Sequence, residues 1–160
     1  MNDTKKEVNM TREYDAPAAL IYKVWTDPEL VKQWWGPNDV TIPECEIDLK
    51  VGGRIYIVME AGEAMGPYKG TRWPMEGTFT TVEENKRLAY DANAWTDGQQ
   101  EATTIETTTD ISFVESAGKT TVTIHAAIHK AGPSAQMAVQ GMEHGWNQQM
   151  DKLAVFLKKQ

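Results

Sequence analysis

Apolar residues recur along this chain with two different periods, and the changes of period divide it into elements. Val8 to Tyr14 alternates and predicts a first strand, behind a tail over residues 1–7 expected to fray. In DAPAALIYKVWTDPELVKQWWGP the period lengthens. Leu20, Ile21, Val24 and Trp25 form one helical stripe, and Leu30, Val31 and Trp34 form a second. Each stripe has its own start signal. Pro17 suits a first helical position, while Asp27–Pro28 supplies a capping oxygen and a pre-set φ, with Glu29 at the positive helix end. Gly36-Pro37 stops the second helix.

From Val40 to about Ile128 the period is two. Cys45, Ile47 and Leu49 alternate with Glu44, Glu46 and Asp48; Ile55, Ile57 and Met59 follow after Gly52-Gly53. Further strands are expected over Thr71–Val82, Arg87–Ala92, Ala102–Val114 and Lys119–Ile128, with tight turns at Asn85-Lys86 and Ala117-Gly118. The last two alternate cleanly, one face apolar and one polar, which predicts an antiparallel sheet covered on one side. The longest loops fall at Ala61–Gly70 and Asn93–Glu101. A terminal helix is expected from Pro133 to Leu157, its core stripe carried by Met142, Trp146, Met150, Leu153 and Leu157. Gly141 and Gly145 interrupt that helix, each at a cost of about 1 kcal/mol against Ala. They allow either close contact with the sheet or space for something between helix and sheet.

Composition then narrows the function. A chain of 160 residues fits one domain and should bury roughly 70% of its unfolded surface, so neither metal nor disulfide is needed. Lys and Arg number 16 against 23 Asp and Glu, a net charge of −7. That balance argues against a nucleic-acid partner and against a polybasic membrane anchor. The start, MNDTKKEVNM, lacks the apolar core of a signal peptide, and no run approaches a membrane span. With the lone Cys45, this gives a cytoplasmic expectation.

Candidate chemistry is sparse. No G-x-S-x-G elbow, P-loop or G-x-G-x-x-G occurs, so no catalytic residue and no cofactor is assigned. His125 and His129 on one strand would stand about 13 Å apart, at ~3.3 Å per residue, too far to share an ion; no metal site is assigned. His144 belongs on the solvated face of its helix, and Cys45, between two glutamates, reads as a buried structural thiol. Glu76, Glu106 and Glu143 are the carboxylates that could work as acid or base, with Glu143 beside the core stripe. Arg54 and Arg72 could clamp an anion, or serve surface salt links.

What remains is apolar. Six tryptophans and eight methionines stand against three phenylalanines. Tryptophan suits cavity walls as well as cores, and methionine suits adaptable surfaces. Trp25, Trp34, Trp35, Trp73, Phe79, Ile105, Phe113, Met142 and Trp146, with Glu143 at the edge, come from separate segments and are expected to converge. Either they fill an interior or they line a pocket.

The blocks DAPAALIYKVWTDPELVKQWWGP, CEIDLKVGGR, WPMEGTF and MEHGWNQQMDKLAVFL resemble the family named for the activator of the heat-shock-protein-90 ATPase, within the START/Bet v 1-like superfamily. The resemblance runs from Met10 to Leu157. It implies an α+β helix-grip fold, a curved antiparallel sheet wrapped around a long C-terminal helix with a cavity between them. Relatives include lipid and sterol carriers, aromatase/cyclases and a co-chaperone. In that co-chaperone an additional N-terminal domain supplies much of the chaperone contact, and no counterpart is expected before Met10. The implied function is non-covalent binding of a small apolar or amphipathic molecule. The alternatives are a cyclase- or isomerase-like enzyme in the same cavity, with Glu143 or a loop carboxylate moving a proton, and a chaperone-binding module.

Overall fold

The computed structural model describes residues 2–160, with side chains from Lys6 onward. Seven strands form one antiparallel sheet in the order β1-β7-β6-β5-β4-β3-β2. They are β1 (Asn2–Tyr14), β2 (Val40–Ile47), β3 (Arg54–Ala61), β4 (Arg72–Glu83), β5 (Arg87–Ala94), β6 (Ile105–Ser116) and β7 (Lys119–Ala131). Helices α1 (Ala18–Thr26) and α2 (Pro28–Trp34) connect β1 to β2, α3 (Gln100–Thr103) is one turn before β6, and α4 (Gln136–Leu157) closes the chain. The α+β helix-grip architecture implied by the family resemblance is the one observed.

Local chemistry accounts for the helix starts. The Asp27 side chain accepts from the Glu29 backbone N–H at 3.0 Å, capping α2 as expected. At α1 the cap comes from far along the chain: Glu115 on β6 accepts from the Ala18 N–H at 2.7 Å. The turn at Ala117-Gly118 has φ of 54° and 79°, the left-handed pair a tight hairpin between right-twisted strands requires.

Four boundaries differ from the sequence expectation. Residues 2–7 are strand rather than frayed tail, because β7 continues to Ala131 and its edge pairs with β1 from Asn2, across an irregularity between Asp3 and Lys6; Met1 lies outside the described residues. Strand β6 begins at Ile105 rather than Ala102, since Thr103 and Thr104 close a helical turn on Gln99 and Gln100. Within the Ala61–Gly70 loop a short 3₁₀ segment spans Glu63–Tyr68. Helix α4 begins at Gln136, not Pro133. The backbone before it is pinned to the α3 turn by Gly132 N–H to Thr104 O and Ser134 N–H to Ala102 O, both 2.7 Å. A Cβ on Gly132 would lie 2.4 Å from Ala102 O, so only glycine permits that approach.

Strand alternation sends Ile55, Ile57, Phe79, Leu88, Tyr90, Ile111, Phe113, Val122 and Ile124 to the concave face. There they bury against α1, α2 and the C-terminal half of α4, whose Met150, Leu153 and Phe156 complete the core. The Tyr14 hydroxyl donates to Met150 O at 3.0 Å and fixes α4 over β1. The N-terminal half of α4 rests differently. Val139 packs with Ile128, Ala131 and Ala135 in a small separate cluster, bordered by Ile105 and Met142. No helix among the described residues is long and apolar enough to cross a membrane.

Candidate functional site: an open bay on the concave face

The sheet is covered unevenly, and the site follows from that. At the α1 end most concave positions are buried; at the other end the same face is half-open. Trp73 and Met75 on β4, Met59 on β3, Ala94 on β5, and Ile105 and Thr107 on β6 share the inward parity of their buried strand-mates, yet each remains half-buried. Across from them, α4 presents Met142, Gly145 and Trp146, also half-buried. A bay lined by apolar and small side chains therefore opens between the first turns of α4 and the ends of β3 to β6.

The candidate residues divide between core and bay. Trp25, Trp34, Trp35, Phe79 and Phe113 are buried and fill the interior. Trp25 meets Trp34 at 4.9 Å, Trp35 at 5.6 Å and Phe113 at 6.3 Å between ring centroids, all edge-on, the arrangement aromatic quadrupoles prefer. Trp73, Ile105, Met142 and Trp146 lie on the bay. Trp146 joins the two groups: its ring is parallel to Trp25 within 18° at 6.4 Å and edge-on to Trp35 at 6.3 Å, with its outer side exposed.

Glu143 does not belong there. It is exposed, and its neighbour one turn on, Asn147, accepts from Arg12 of β1 at 2.9 Å, so that flank of α4 faces β1 rather than the bay. The partly exposed inward residues leave the bay open to solvent. The best-defined hollows lie elsewhere: one of about 350 Å³ between α2 and the last turns of α4, beside Gln33, Lys152 and Phe156, and one of about 470 Å³ in the Trp95–Ala102 loop.

Electrostatically the bay is neutral. Among the described residues, the inward positions of β3 to β6 at this end carry no charge, and neighbouring charged residues point outward. Arg72 binds Glu60 at 2.8 Å and Glu44 at 3.7 Å. Arg54 binds Glu46 at 2.9 Å and Glu76, while lying over the Tyr56 ring at 4.3 Å. Hydrogen bonding to carboxylates holds both guanidinium groups above their ordinary pKa, so both arginines serve surface ion pairs here. The Tyr90 hydroxyl, deeper in the interior, is pushed up to about 12 by burial, with a hydrogen bond to Thr109 acting the other way.

The other titratable candidates are dispersed. His125 contacts Glu7 at 3.2 Å, His129 contacts Thr108 at 2.9 Å, and His144 accepts from Gln148 at 2.9 Å. No group of three His, Cys, Asp or Glu residues among those described could hold an ion. Cys45 is buried.

Two polar groups could not be singled out from sequence. Trp25 Nε1 and Gln149 Nε2 are buried donors with no acceptor, a cost of about 1–3 kcal/mol for each such group. The Trp34 indole, by contrast, donates to Val24 O at 2.9 Å. Gln149 accepts from the Gly36 N–H at 2.9 Å through Oε1, which turns its amide nitrogen elsewhere. Met59, Met75 and Thr107 were legible as inward positions by parity alone.

A model of the family described as activator of Hsp90 ATPase homolog 1-like protein matches residues 15–158. No curated protein matches this sequence. Among solved structures, a protein of Nitrosomonas europaea is 27% identical over 96% of this chain and 94% of its own, with a TM-score of 0.74. A Mycobacterium smegmatis protein is 22% identical over 96% and 91%, with a TM-score of 0.73. The structure described as the AHSA1 protein of Silicibacter pomeroyi is 21% identical over 96% and 98%, with a TM-score of 0.72. The last two speak for the fold alone. The family match covers α1 through α4 with the whole of the bay, and this chain belongs to the activator of Hsp90 ATPase homolog 1-like family.

Proposed function

We propose that this protein binds a small apolar or amphipathic molecule, non-covalently, in the bay between the first half of α4 and the ends of β3 to β6. The observation that carries the reading is the grouping of partly exposed Trp73, Met75 and Ile105 on the inward face of the sheet opposite partly exposed Met142 and Trp146 of α4. Apolar side chains facing inward without cover are what a ligand would complete, at about 25 cal/mol for each Å² removed from water. An enzymatic use would need a titratable group on the wall. Glu143, expected to supply it with a loop carboxylate as the other candidate, is exposed on the flank of α4 that carries Asn147, which favours binding without chemistry.

The test is titration with Nile red, an uncharged fluorescent apolar probe, of the wild type and of Ile105→Glu. Saturable uptake by the wild type, lowered at least tenfold by a carboxylate on the bay wall, is the expected outcome. Uptake unchanged by Ile105→Glu would place binding elsewhere and remove the proposal.

A further inference from the structure

Three observations bear on what the occupant of the bay looks like, and the inference drawn from them rests on the ligand-binding reading above. The bay wall is uncharged, so a carboxylate or ammonium entering it would shed water without meeting a counter-ion. Two buried donors close to Trp146 lack acceptors among the described residues: Trp25 Nε1 and Gln149 Nε2, on residues 4% and 6% exposed. Both adjoin the same rings. Trp25 stacks on Trp146 and meets Trp35, while Gln149 follows Trp146 by three residues and holds the backbone of Gly36, next to Trp35. Finally, Trp146 is the partly exposed member of its stack with Trp25, and Gly145 beside it leaves room, since a Cβ there would meet nothing within 4 Å.

We infer that the bay takes an uncharged, largely apolar molecule bearing an acceptor oxygen, which the Trp25 indole and the Gln149 amide bind when Trp146 swings aside. The acceptor satisfies donors that the folded chain leaves unpaired, and the swing replaces the Trp25–Trp146 stack with a contact to the ligand. Selectivity comes from both features. A hydrocarbon of the same shape leaves the donors orphaned, and an anion is penalised by the neutral wall.

Three probes of one skeleton separate these effects: naphthalene, 2-acetylnaphthalene and 2-naphthoate, titrated by calorimetry and by ¹H–¹⁵N spectra of the indole N–H groups. The ketone is expected to bind roughly tenfold tighter than naphthalene, the scale of one added hydrogen bond, and at least tenfold tighter than the carboxylate. The indole resonance missing from Trp25→Phe spectra should move downfield with the ketone and not with naphthalene. In Trp25→Phe, and independently in Gln149→Met, the ratio of ketone to naphthalene affinity should fall towards one. Equal affinity for ketone and naphthalene in the wild type, or naphthoate binding as tightly as the ketone, overturns the inference while leaving the binding proposal standing. Failure of all three probes to bind overturns both.

Discussion

Gly145 shows most plainly how a single residue can belong to a site by what it lacks. A glycine in the interior of a helix gives up about 1 kcal/mol against alanine, and packing does not explain it here because the space where a Cβ would go is empty. Gly145→Ala should therefore raise stability by about 1 kcal/mol in urea unfolding while lowering Nile red uptake. A destabilised variant with unchanged uptake would return this glycine to a packing role. Gly141, exposed on α4, shares the empty surroundings but not the bay. Cys45 makes a separate prediction. Burial pushes its thiol up from 9.0 to about 11. Both states hold the proton below pH 9; above it the unfolded chain releases the proton first, so the Cys45 contribution is lost as pH rises towards 11. Between about pH 8 and pH 10.5, wild type should lose on the order of 2 kcal/mol more stability than Cys45→Ala, and equal losses would contradict the assignment. Sequence reading found the buried thiol from its alternation with Glu44 and Glu46. It could not find the unpaired donors of Trp25 and Gln149, because an orphaned N–H depends on partners drawn from distant segments.

Among the elements, α4 does two jobs along one length. Its C-terminal half is a core helix, locked by Met150, Leu153 and Phe156; its N-terminal half meets the sheet at the end of β7, through the small Val139 cluster. Two tryptophans calibrate the difference. Trp34→Ala empties a fully buried site and should cost about 3–5 kcal/mol. Trp146→Ala removes a half-exposed ring and should cost clearly less, on the order of 1–2 kcal/mol, in the same urea titration. Equal costs would mean that Trp146 is core and that the bay is closed. Asp27→Ala should cost about 1 kcal/mol through the lost α2 cap, with the midpoint in urea as the check. Period alone located α1, α2, the strand faces and the stripe of α4, since each is dictated by which side chains must leave water. The start of α4 escaped it. Pro133-Ser134 looks like a helix entry, and only the tertiary hydrogen bonds from Gly132 and Ser134 to the α3 turn delay the helix to Gln136.

At the scale of the whole molecule, the seven-stranded sheet is wide enough to outrun the helices that cover it. Core aromatics from α1 and α2 fill one end, α4 bridges the middle, and the ends of β3 to β6 stay open. The meeting of Trp25, Trp34, Trp35, Phe113 and Trp146 followed from sequence, but not which of them are fully buried. Whether a tryptophan fills or lines depends on how far the neighbouring helix stands off, a distance no local pattern records. The account stands on the claim that this open end is where an apolar molecule binds. Methyl ¹H–¹³C spectra of protein labelled at methionine and isoleucine, recorded as Nile red is added, test that most directly. Met59, Met75, Met142 and Ile105 should shift in proportion to occupancy while Met150, Ile111 and Ile124 stay in place. Shifts confined to surface methyls such as Met137, or spread evenly through the core, would contradict it.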